Sequence, residues 1–236
     1  MKIEALFGEV CGMNGDVWNA EYLHRSVPSA EMYATLLTET PYFASGVPDI
    51  ICIGSMTEST QKKVIEKLRP LASRLKELID GGTIILATGN AGDIFSRSIV
   101  NITDGTVTKG LGILANEVRV DMLGRFHGKT LGSFRGMEIV GFQCRFGFWH
   151  GISGHTPFLQ IERGMGDCAG CKTEGYVINN FFCTSLLGPI LPLNPKFTEY
   201  LISCAGEKGS AAYRDEAMAS YQRRLAEFTD PRVRFE

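Results

Sequence analysis

The chain has 236 residues, of which 44% are hydrophobic and 21% are charged, and its formal net charge is −2 at pH 7. This length is sufficient for one large domain or two small ones, and the composition allows a sizeable core. The balance of charge argues against a dominant nucleic-acid-binding surface, and no apolar run is long enough to predict a membrane span. Residues 1–10 lack the apolar core and cleavage site of a signal peptide, so we expect a cytoplasmic protein.

The seven cysteines are scattered, and several lie in apolar segments. An odd number in such positions favours free thiols over a disulfide framework. Cys168 and Cys171 have the spacing of a metal-ligand pair, but a zinc site needs four ligands and the sequence has no second pair of this kind. Zinc completed by Cys11, His150 or His155, and a redox role, stay open as alternatives. We predict two loop thiols, no metal and no cofactor.

Strand-like and helix-like patterns alternate through the first 95 residues. The predicted elements in chain order are a strand at 2–7, a helix at 14–25, an ambiguous strand at 31–38, a strand at 49–54, a helix capped by Ser59 and kinked or split at Pro70 over 59–80, and a strand at 83–88. This alternation predicts a mostly parallel sheet with helices on both faces. Ligands of such sheets bind at the carboxyl ends of the strands, where the turns 8–16, 54–58 and 88–92 converge.

The middle of the chain, residues 111–184, is rich in glycine, aromatic and β-branched residues. It contains strand-like pieces that predict hairpins or a partly antiparallel extension of the sheet; these pieces are 116–121, 137–142, 158–163 and 176–184. Helices are predicted at 194–203 and 212–228. We therefore predict an α/β protein, with one domain over residues 1–205 and a C-terminal helical extension packed on it over 206–236.

The stretch ILATGNAGDIFS, residues 85–96, has the pattern of a buried strand that turns sharply into a helix. Many α/β enzymes place a nucleophile on such a turn. Here the tip holds Gly89 and Asn90, and neither side chain can attack a carbonyl carbon. Backbone N–H groups at a helix start favour anions or carbonyl oxygens, so Asn90, Ala91 and Gly92 are predicted to bind a ligand.

Four stretches carry a resemblance to one family: CGMNGDVWN, DIICIGSMTESTQ, IILATGNAGDIFS and KTEGYVINNFFCTSLLGPILPLNPKFTEYLI. Together they resemble the cobyric-acid-synthase-like class I glutamine amidotransferases, and most of all the glutaminase subunits of lipid II isoglutaminyl synthases. The resemblance runs in order over about residues 1–204, and its most specific piece is GPILPLNP at 188–195. It implies the flavodoxin-like fold of the class I glutamine amidotransferases, with a mostly parallel sheet and an antiparallel extension.

The resemblance also implies a chemistry that this chain lacks. Family members attack the glutamine side-chain amide with a cysteine on the elbow, which a distant histidine activates, and they pass the ammonia to a second active site. The matched motifs place Gly89 at the nucleophile position and Leu187 at the base position. Cys–His catalysis needs a thiolate with an imidazole in hydrogen-bond reach, which glycine and leucine cannot supply. The expected result is loss of glutaminase activity, with no intact catalytic residue.

Other matched positions predict a ligand site and structural roles. Gly54 begins the second converging turn, and Lys129 falls near the position where the family keeps a basic residue for the substrate carboxylate. Both are predicted to bind a ligand. Thr88 is predicted to be a buried strand hydroxyl and Asp93 to cap the helix that follows the elbow. His150 and His155 are predicted to be structural or surface residues.

Two hypotheses for function remain. The first is a binding or regulatory subunit without glutaminase activity, beside a Mur-ligase-like or other ATP-dependent synthetase or in a homodimer, with no nucleic-acid or membrane partner. The second is an enzyme that uses the same pocket for other chemistry. Four aromatic residues fall where the family holds glutamine, and a pocket filled by them would favour the first hypothesis; they are Phe142, Phe146, Phe148 and Trp149. A pocket lined by polar groups with perturbed pKa values would favour the second.

Overall fold

The computed structural model describes residues 1–151, 155–168 and 170–235. In chain order its strands are β1 (Lys2–Leu6), β2 (Glu31–Thr35), β3 (Ile50–Ile53), β4 (Ile84–Thr88), β5 (Ser98–Asn101), β6 (Val107–Lys109), β7 (Glu117–Val120), β8 (Phe126–Phe134), β9 (Met137–Arg145), β10 (Gly147–His150), β11 (Leu159–Gly164), β12 (Thr173–Glu174), β13 (Tyr176–Ile178) and β14 (Phe181–Thr184). Its α-helices are α1 (Trp18–Ser26), α2 (Glu58–Leu68), α3 (Ala72–Asp80), α4 (Ile190–Leu193), α5 (Pro195–Cys204) and α6 (Arg214–Thr229). Short 3₁₀ helices span Tyr42–Ala44, Arg69–Leu71 and Gly89–Phe95.

A six-stranded sheet with the order β13-β14-β4-β3-β1-β2 lies at the centre of the fold. Its pairs are parallel from β14 to β2, and only the edge strand β13 runs antiparallel to its neighbour. The predicted α/β architecture, with a mostly parallel sheet and an antiparallel extension, is therefore confirmed.

Both faces of this sheet are covered by helices, which explains why its central strands are continuous apolar runs. Alternate residues of β3 and β4 enter different cores. Ile51 and Ile85 pack with the side chains of α2 and α3, while Ile50 and Ile84 pack with those of α1 and α5. A one-residue shift of either strand would exchange these two sets of side chains.

The middle of the chain adds β13 and β14 to the central sheet. The remaining strands form two separate four-stranded sheets, with the orders β10-β7-β5-β6 and β12-β11-β8-β9. The long hairpin of β8 and β9 pairs nine residues in each strand. The hairpins that the sequence predicts are therefore present, but most of them build their own layers.

Two helix starts differ from the prediction. The N-cap of the second helix lies two residues earlier than expected, because Thr57 rather than Ser59 accepts a hydrogen bond from the backbone N–H of Thr60. As one of the two predicted outcomes, Pro70 splits the long helix into α2 and α3 through a 3₁₀ turn, since proline has no N–H to continue the helix. The first helix begins at Trp18 rather than Asn14, and the preceding turn contributes to the site described below.

The C-terminal helix α6 packs against the β8–β9 hairpin. Tyr221 and Phe228 form a small core with Leu131 and Val140, and the Tyr221 hydroxyl donates to the carbonyl oxygen of Glu138 at 2.9 Å. This end of the chain is thus anchored by both apolar and hydrogen-bonding contacts. Among the residues that the structure describes, no helix combines the length and apolarity needed to cross a bilayer.

Candidate functional site at the elbow

The elbow lies where β4 leads into the 3₁₀ helix Gly89–Phe95. Gly89 adopts a φ of +60°, and its N–H donates to the carbonyl oxygen of Leu186 at 3.0 Å. A residue with a Cβ is strained at this φ, so glycine suits the turn. The helix predicted after the elbow is a short 3₁₀ segment without a side-chain cap.

The structure brings Gly89 and Leu187 together. A Cβ placed on Gly89 would lie 3.0 Å from Cδ2 of Leu187 and 2.8 Å from Cβ of Ser55. The tip of the elbow therefore faces an apolar side chain across a van der Waals contact. Neither residue carries a group that can attack a carbon atom or take up a proton.

The Asp16 carboxylate connects the converging turns. It is buried and accepts hydrogen bonds from the backbone N–H and hydroxyl of Ser55, from the Thr88 hydroxyl at 2.6 Å and from the Gly188 N–H at 2.8 Å. These donors come from the ends of β3 and β4 and from the segment after β14. One side chain thus fixes the relative positions of Ser55, Thr88 and Gly188 around the elbow, and Thr88 is the buried hydroxyl that the sequence predicts.

The three elbow residues predicted to bind a ligand have structural contacts. The Asn90 side chain accepts from the N–H of Met56 at 2.9 Å and donates to its carbonyl oxygen at 2.8 Å, which ties the elbow to the turn after β3. Ala91 is fully buried. Gly92 packs so closely on Cys183 and Trp149 that a Cβ could not be accommodated. Of the three, only Asn90 lines the pocket beside the elbow.

Gly54 and Lys129 lie away from this elbow pocket. Gly54 packs directly against Asp16 and the carbonyl oxygen of Cys11, where only a glycine fits. Lys129 forms an ion pair with Glu227 at 2.9 Å and lines a neighbouring pocket. The positions of both residues argue against their predicted contact with a ligand at the elbow.

The pocket beside Gly89 has a volume of about 200 Å³ and is lined by both polar and apolar residues. The polar and charged residues that line it are Asn14, Ser55, Glu58, Gln61, Asn90, Asp93, Arg125, Arg145 and Ser185. The four aromatic residues do not fill this pocket. Phe146 forms part of one wall, while Trp149 is buried behind Gly92, Phe148 packs under the guanidinium of Arg145, and Phe142 lines the neighbouring pocket.

Arg145 is the buried cation of this pocket. It is 8% exposed, and it donates through Nη1 to the Ser185 hydroxyl at 2.6 Å and through Nη2 to the carbonyl oxygen of Gly166. Its Nε is buried without a hydrogen-bond acceptor among the described residues. Burial lowers the pKa of Arg145, while the nearby carboxylates oppose this shift; they are Glu174, Asp167 and Asp93.

These carboxyl groups have raised pKa values. Burial raises the pKa of Asp93 from 3.8 to about 6, although hydrogen bonds from Trp149 and Gln61 favour its charged form. Burial also raises the pKa of Glu174, and the negative charge of Asp167 adds to that rise. Asp93 accepts from Nε1 of Trp149 at 2.7 Å and does not cap a helix, contrary to the prediction. The pocket therefore contains an acid that changes charge near neutral pH.

We expect the Asp93→Asn variant to change the pH dependence of stability. Because the folded-state pKa lies above 3.8, the folded protein binds more protons than the unfolded chain between about pH 4 and pH 6. The contribution of Asp93 to the free energy of unfolding is thus fully present below that window and is lost as pH rises through it. The rise in the pKa of Asp93 corresponds to about 3 kcal/mol of the free energy of unfolding, at roughly 1.4 kcal/mol per pKa unit.

Urea unfolding of the wild type and the variant at pH 4 and pH 8 measures this difference. The stability of the variant relative to the wild type should rise by up to about 3 kcal/mol between the two pH values. All other titrating groups are common to both proteins, so they cancel in this comparison. A relative stability that does not change with pH would contradict the raised pKa of Asp93.

Cys168 and Cys171 form a disulfide, with their Cα atoms 5.1 Å apart. The prediction of two loop thiols is therefore wrong, because the turn closed by the hydrogen bond from the Cys171 N–H to the Cys168 carbonyl oxygen brings the two residues within disulfide distance. The other five cysteines are free. In the described ranges, no group of three His, Cys, Asp or Glu side chains is arranged to hold a metal ion.

No family model matches the chain. The chain is 30% identical over 167 residues to the lipid II isoglutaminyl synthase (glutamine-hydrolyzing) subunit GatD of Staphylococcus aureus (strain N315). This match covers 68% of the chain and 65% of that relative, which is slightly under two thirds of the relative's length.

Solved structures resemble the whole architecture. A glutamine amidotransferase crystal structure superposes with a TM-score of 0.57 at 12% identity, covering 86% of this chain and 98% of its own. A glutamine amidotransferase from Thermotoga maritima superposes with a TM-score of 0.51 at 11% identity, and the match covers 96% of this chain and 91% of that one. The chain has the class I glutamine amidotransferase fold. PurLQS from the same organism matches with a TM-score of 0.52 at 10% identity, over 95% of this chain and 98% of that one.

The amidotransferase fold explains which site residues the sequence suggested and which it did not. The elbow and its facing residue follow from motifs that can be matched in order along the chain. Arg145 and Glu174 went unnoticed, because strands that are distant in sequence bring them together. One signal was available, since Arg145 is the one charged residue in the largely apolar and aromatic run 139–149, and a buried charge requires a partner.

Proposed function

We propose that this chain is a glutamine amidotransferase-like subunit that has lost glutamine hydrolysis and keeps its elbow pocket as a ligand-binding site. The observation that carries the proposal is the contact between Gly89, at the tip of the elbow, and Leu187. On this proposal, Gly89 occupies the position of the family's nucleophile and Leu187 the position of its base. The polar groups around Asp93 and Arg145 support retained ligand binding. Burying charged groups costs free energy, and a pocket without a ligand gains nothing that offsets this cost.

We expect the purified protein to release no ammonia from L-glutamine, because neither elbow position supplies a thiol or an imidazole. The measurement is ammonia and glutamate release at several glutamine concentrations, with an active glutaminase as the positive control. A thiol-directed glutamine analogue should leave no adduct on an elbow residue, which peptide mass spectrometry would show.

Cys144 provides the matched control, since it is a free thiol that lines the same pocket. Ammonia release by the wild type that the glutamine analogue abolishes would contradict the proposal. If the Cys144→Ala variant lost this release, Cys144 would be the nucleophile. If the Cys144→Ala variant still released ammonia, a different side chain near the elbow would be the nucleophile.

We propose that the subunit works beside an ATP-dependent amidating partner, of which a Mur-ligase-like synthetase in the amidation of peptidoglycan precursors is the first candidate. Support comes from the relative described as a subunit of lipid II isoglutaminyl synthase. Apolar side chains at the pocket rim provide a surface for docking: Met13 is 59% exposed, and Leu123, in the turn between two pocket-lining residues, is 86% exposed. Light scattering on the purified chain distinguishes this arrangement from a homodimer.

A second candidate function is an enzyme of different chemistry in the same pocket. The raised pKa of Asp93, about 6, and its place in the pocket wall favour this candidate, because such a carboxyl can give or take a proton near neutral pH. Turnover of any metabolite that the wild type supports and the Asp93→Asn variant does not would distinguish it from a binding subunit.

We also propose that residues 1–205 form the amidotransferase-like domain and that residues 206–236 are an extension of it. The packing of α6 on the β8–β9 hairpin, away from the central parallel sheet, supports this division.

A further inference from the structure

A second pocket adjoins the elbow pocket on the side of the C-terminal helix. It has a volume of about 430 Å³ and lies between the β8–β9 hairpin, the segment after β14 and α6. Asn14, Cys144 and Leu187 line both pockets, so the two pockets are direct neighbours. The outer pocket therefore extends the site beyond the reach of the elbow itself.

The outer pocket has an excess of positive charge. Its charged lining residues are Lys129, Arg224 and Glu227, and the ion pair of Lys129 with Glu227 leaves the Arg224 guanidinium as the unbalanced cation. Nε of Arg224 is buried and has no hydrogen-bond acceptor among the described residues. A buried N–H group favours an acceptor, and a guanidinium favours a carboxylate above all.

The rest of the outer pocket is largely apolar. Phe142, which is 43% exposed, lines it together with Leu187 and Leu193. An exposed aromatic side chain beside an unbalanced cation suits a ligand with an apolar body and one negative charge. A small inorganic anion would leave these apolar side chains uncovered.

The wall that carries Arg224 is held in place. Arg163 donates through Nη1 to the carbonyl oxygens of Phe228 at 2.6 Å and Asp230 at 2.8 Å, which fixes the end of α6 against β11. Phe228 and Tyr221 are buried against the hairpin. The guanidinium of Arg224 is thus presented by an anchored helix rather than by a loose tail.

We infer that this outer pocket is an anion-binding subsite that takes the carboxylate of an elongated ligand with an apolar body, and that α6 completes it. Cys144, which lines both pockets, follows Phe142 by two residues on the same face of β9, which is about 7 Å along a strand at roughly 3.4 Å per residue. A ligand of about that length can reach the elbow pocket while its carboxylate stays at Arg224. The subsite does not depend on the loss of glutaminase activity, because neither Lys129 nor Arg224 lines the elbow pocket.

Calorimetry with octanoate at pH 7.5 tests the inference, and octanamide serves as the neutral probe of the same length. The Arg224→Gln variant should weaken octanoate binding by about tenfold or more, because it removes the charged donor. The Arg223→Gln variant is the matched control, since Arg223 is exposed on the same helix and is not part of the pocket lining. It should bind octanoate like the wild type, while octanamide should bind weakly to all three proteins.

The Glu227→Gln variant should change binding in the opposite direction. Removing the carboxylate that occupies Lys129 frees that ammonium group, so octanoate should bind more tightly than to the wild type. Equal octanoate binding by the Arg224→Gln and Arg223→Gln variants, octanamide binding as tight as octanoate binding, or no tightening in Glu227→Gln would each overturn the inference. Displacement of octanoate by millimolar inorganic phosphate would overturn it too, in favour of a phosphate site.

Discussion

The Asp16→Ala variant is expected to lose at least about 3 kcal/mol of the free energy of unfolding, because the wild-type carboxylate accepts four hydrogen bonds in a buried position. Removing it leaves the donors of Ser55, Thr88 and Gly188 without their acceptor. Buried donors that lose their partner cost about 1–3 kcal/mol each, although such costs are not additive. This loss is large beside a total stability of about 5–15 kcal/mol for a domain.

Urea unfolding at neutral pH measures this effect. The Asp16→Asn variant should lose less, because one oxygen remains for Thr88 and Gly188 while the new NH₂ group faces the two donors of Ser55. Asp49 provides the matched control, since its exposed carboxylate accepts one hydrogen bond, from the backbone N–H of Lys2. Asp49→Ala should change stability much less, and equal losses in the two alanine variants would show that the burial of Asp16 has little effect.

The Arg145→Met variant is expected to lose about 3–5 kcal/mol of the free energy of unfolding at pH 8, the typical cost of leaving buried charges without their opposite charge. Methionine fills much of the volume but leaves Asp93, Asp167 and Glu174 without their nearby positive charge. Two hydrogen bonds, to Ser185 and Gly166, are lost as well.

The loss should be smaller at pH 5, because carboxyl groups with raised pKa values are then largely protonated and need no counter-charge. Measuring the free energy of unfolding at both pH values therefore separates the electrostatic effect from lost packing. Arg125→Met is the matched control, since Arg125 lines the mouth of the same pocket but is exposed. A loss in Arg145→Met that is equal at pH 5 and pH 8 would mean that packing, not charge, dominates.

The alternation of apolar runs and amphipathic helices was sufficient to predict the central sheet. The runs at 50–53 and 84–88 contain few polar side chains, which only a strand covered on both faces permits. The separate sheets of the middle region could not be predicted, because glycine- and aromatic-rich strands do not specify their partners locally. The disulfide between Cys168 and Cys171 was also missed, since spacing alone does not distinguish loop thiols from a bonded pair.

By itself, the sequence determined that the tip of the turn after β4 offers no nucleophilic side chain, because glycine has no side chain and asparagine carries only an amide, whatever the fold. It also determined the parallel sheet, whose strands and helices have strong local patterns. Only the tertiary structure decided what surrounds the elbow. Long-range folding, which no local pattern records, brings Arg145 close to acids from other parts of the chain, and burial raises the pKa of Asp93 to about 6. Long-range packing likewise moves Lys129 away from the elbow and sets it beside Glu227 of the C-terminal helix.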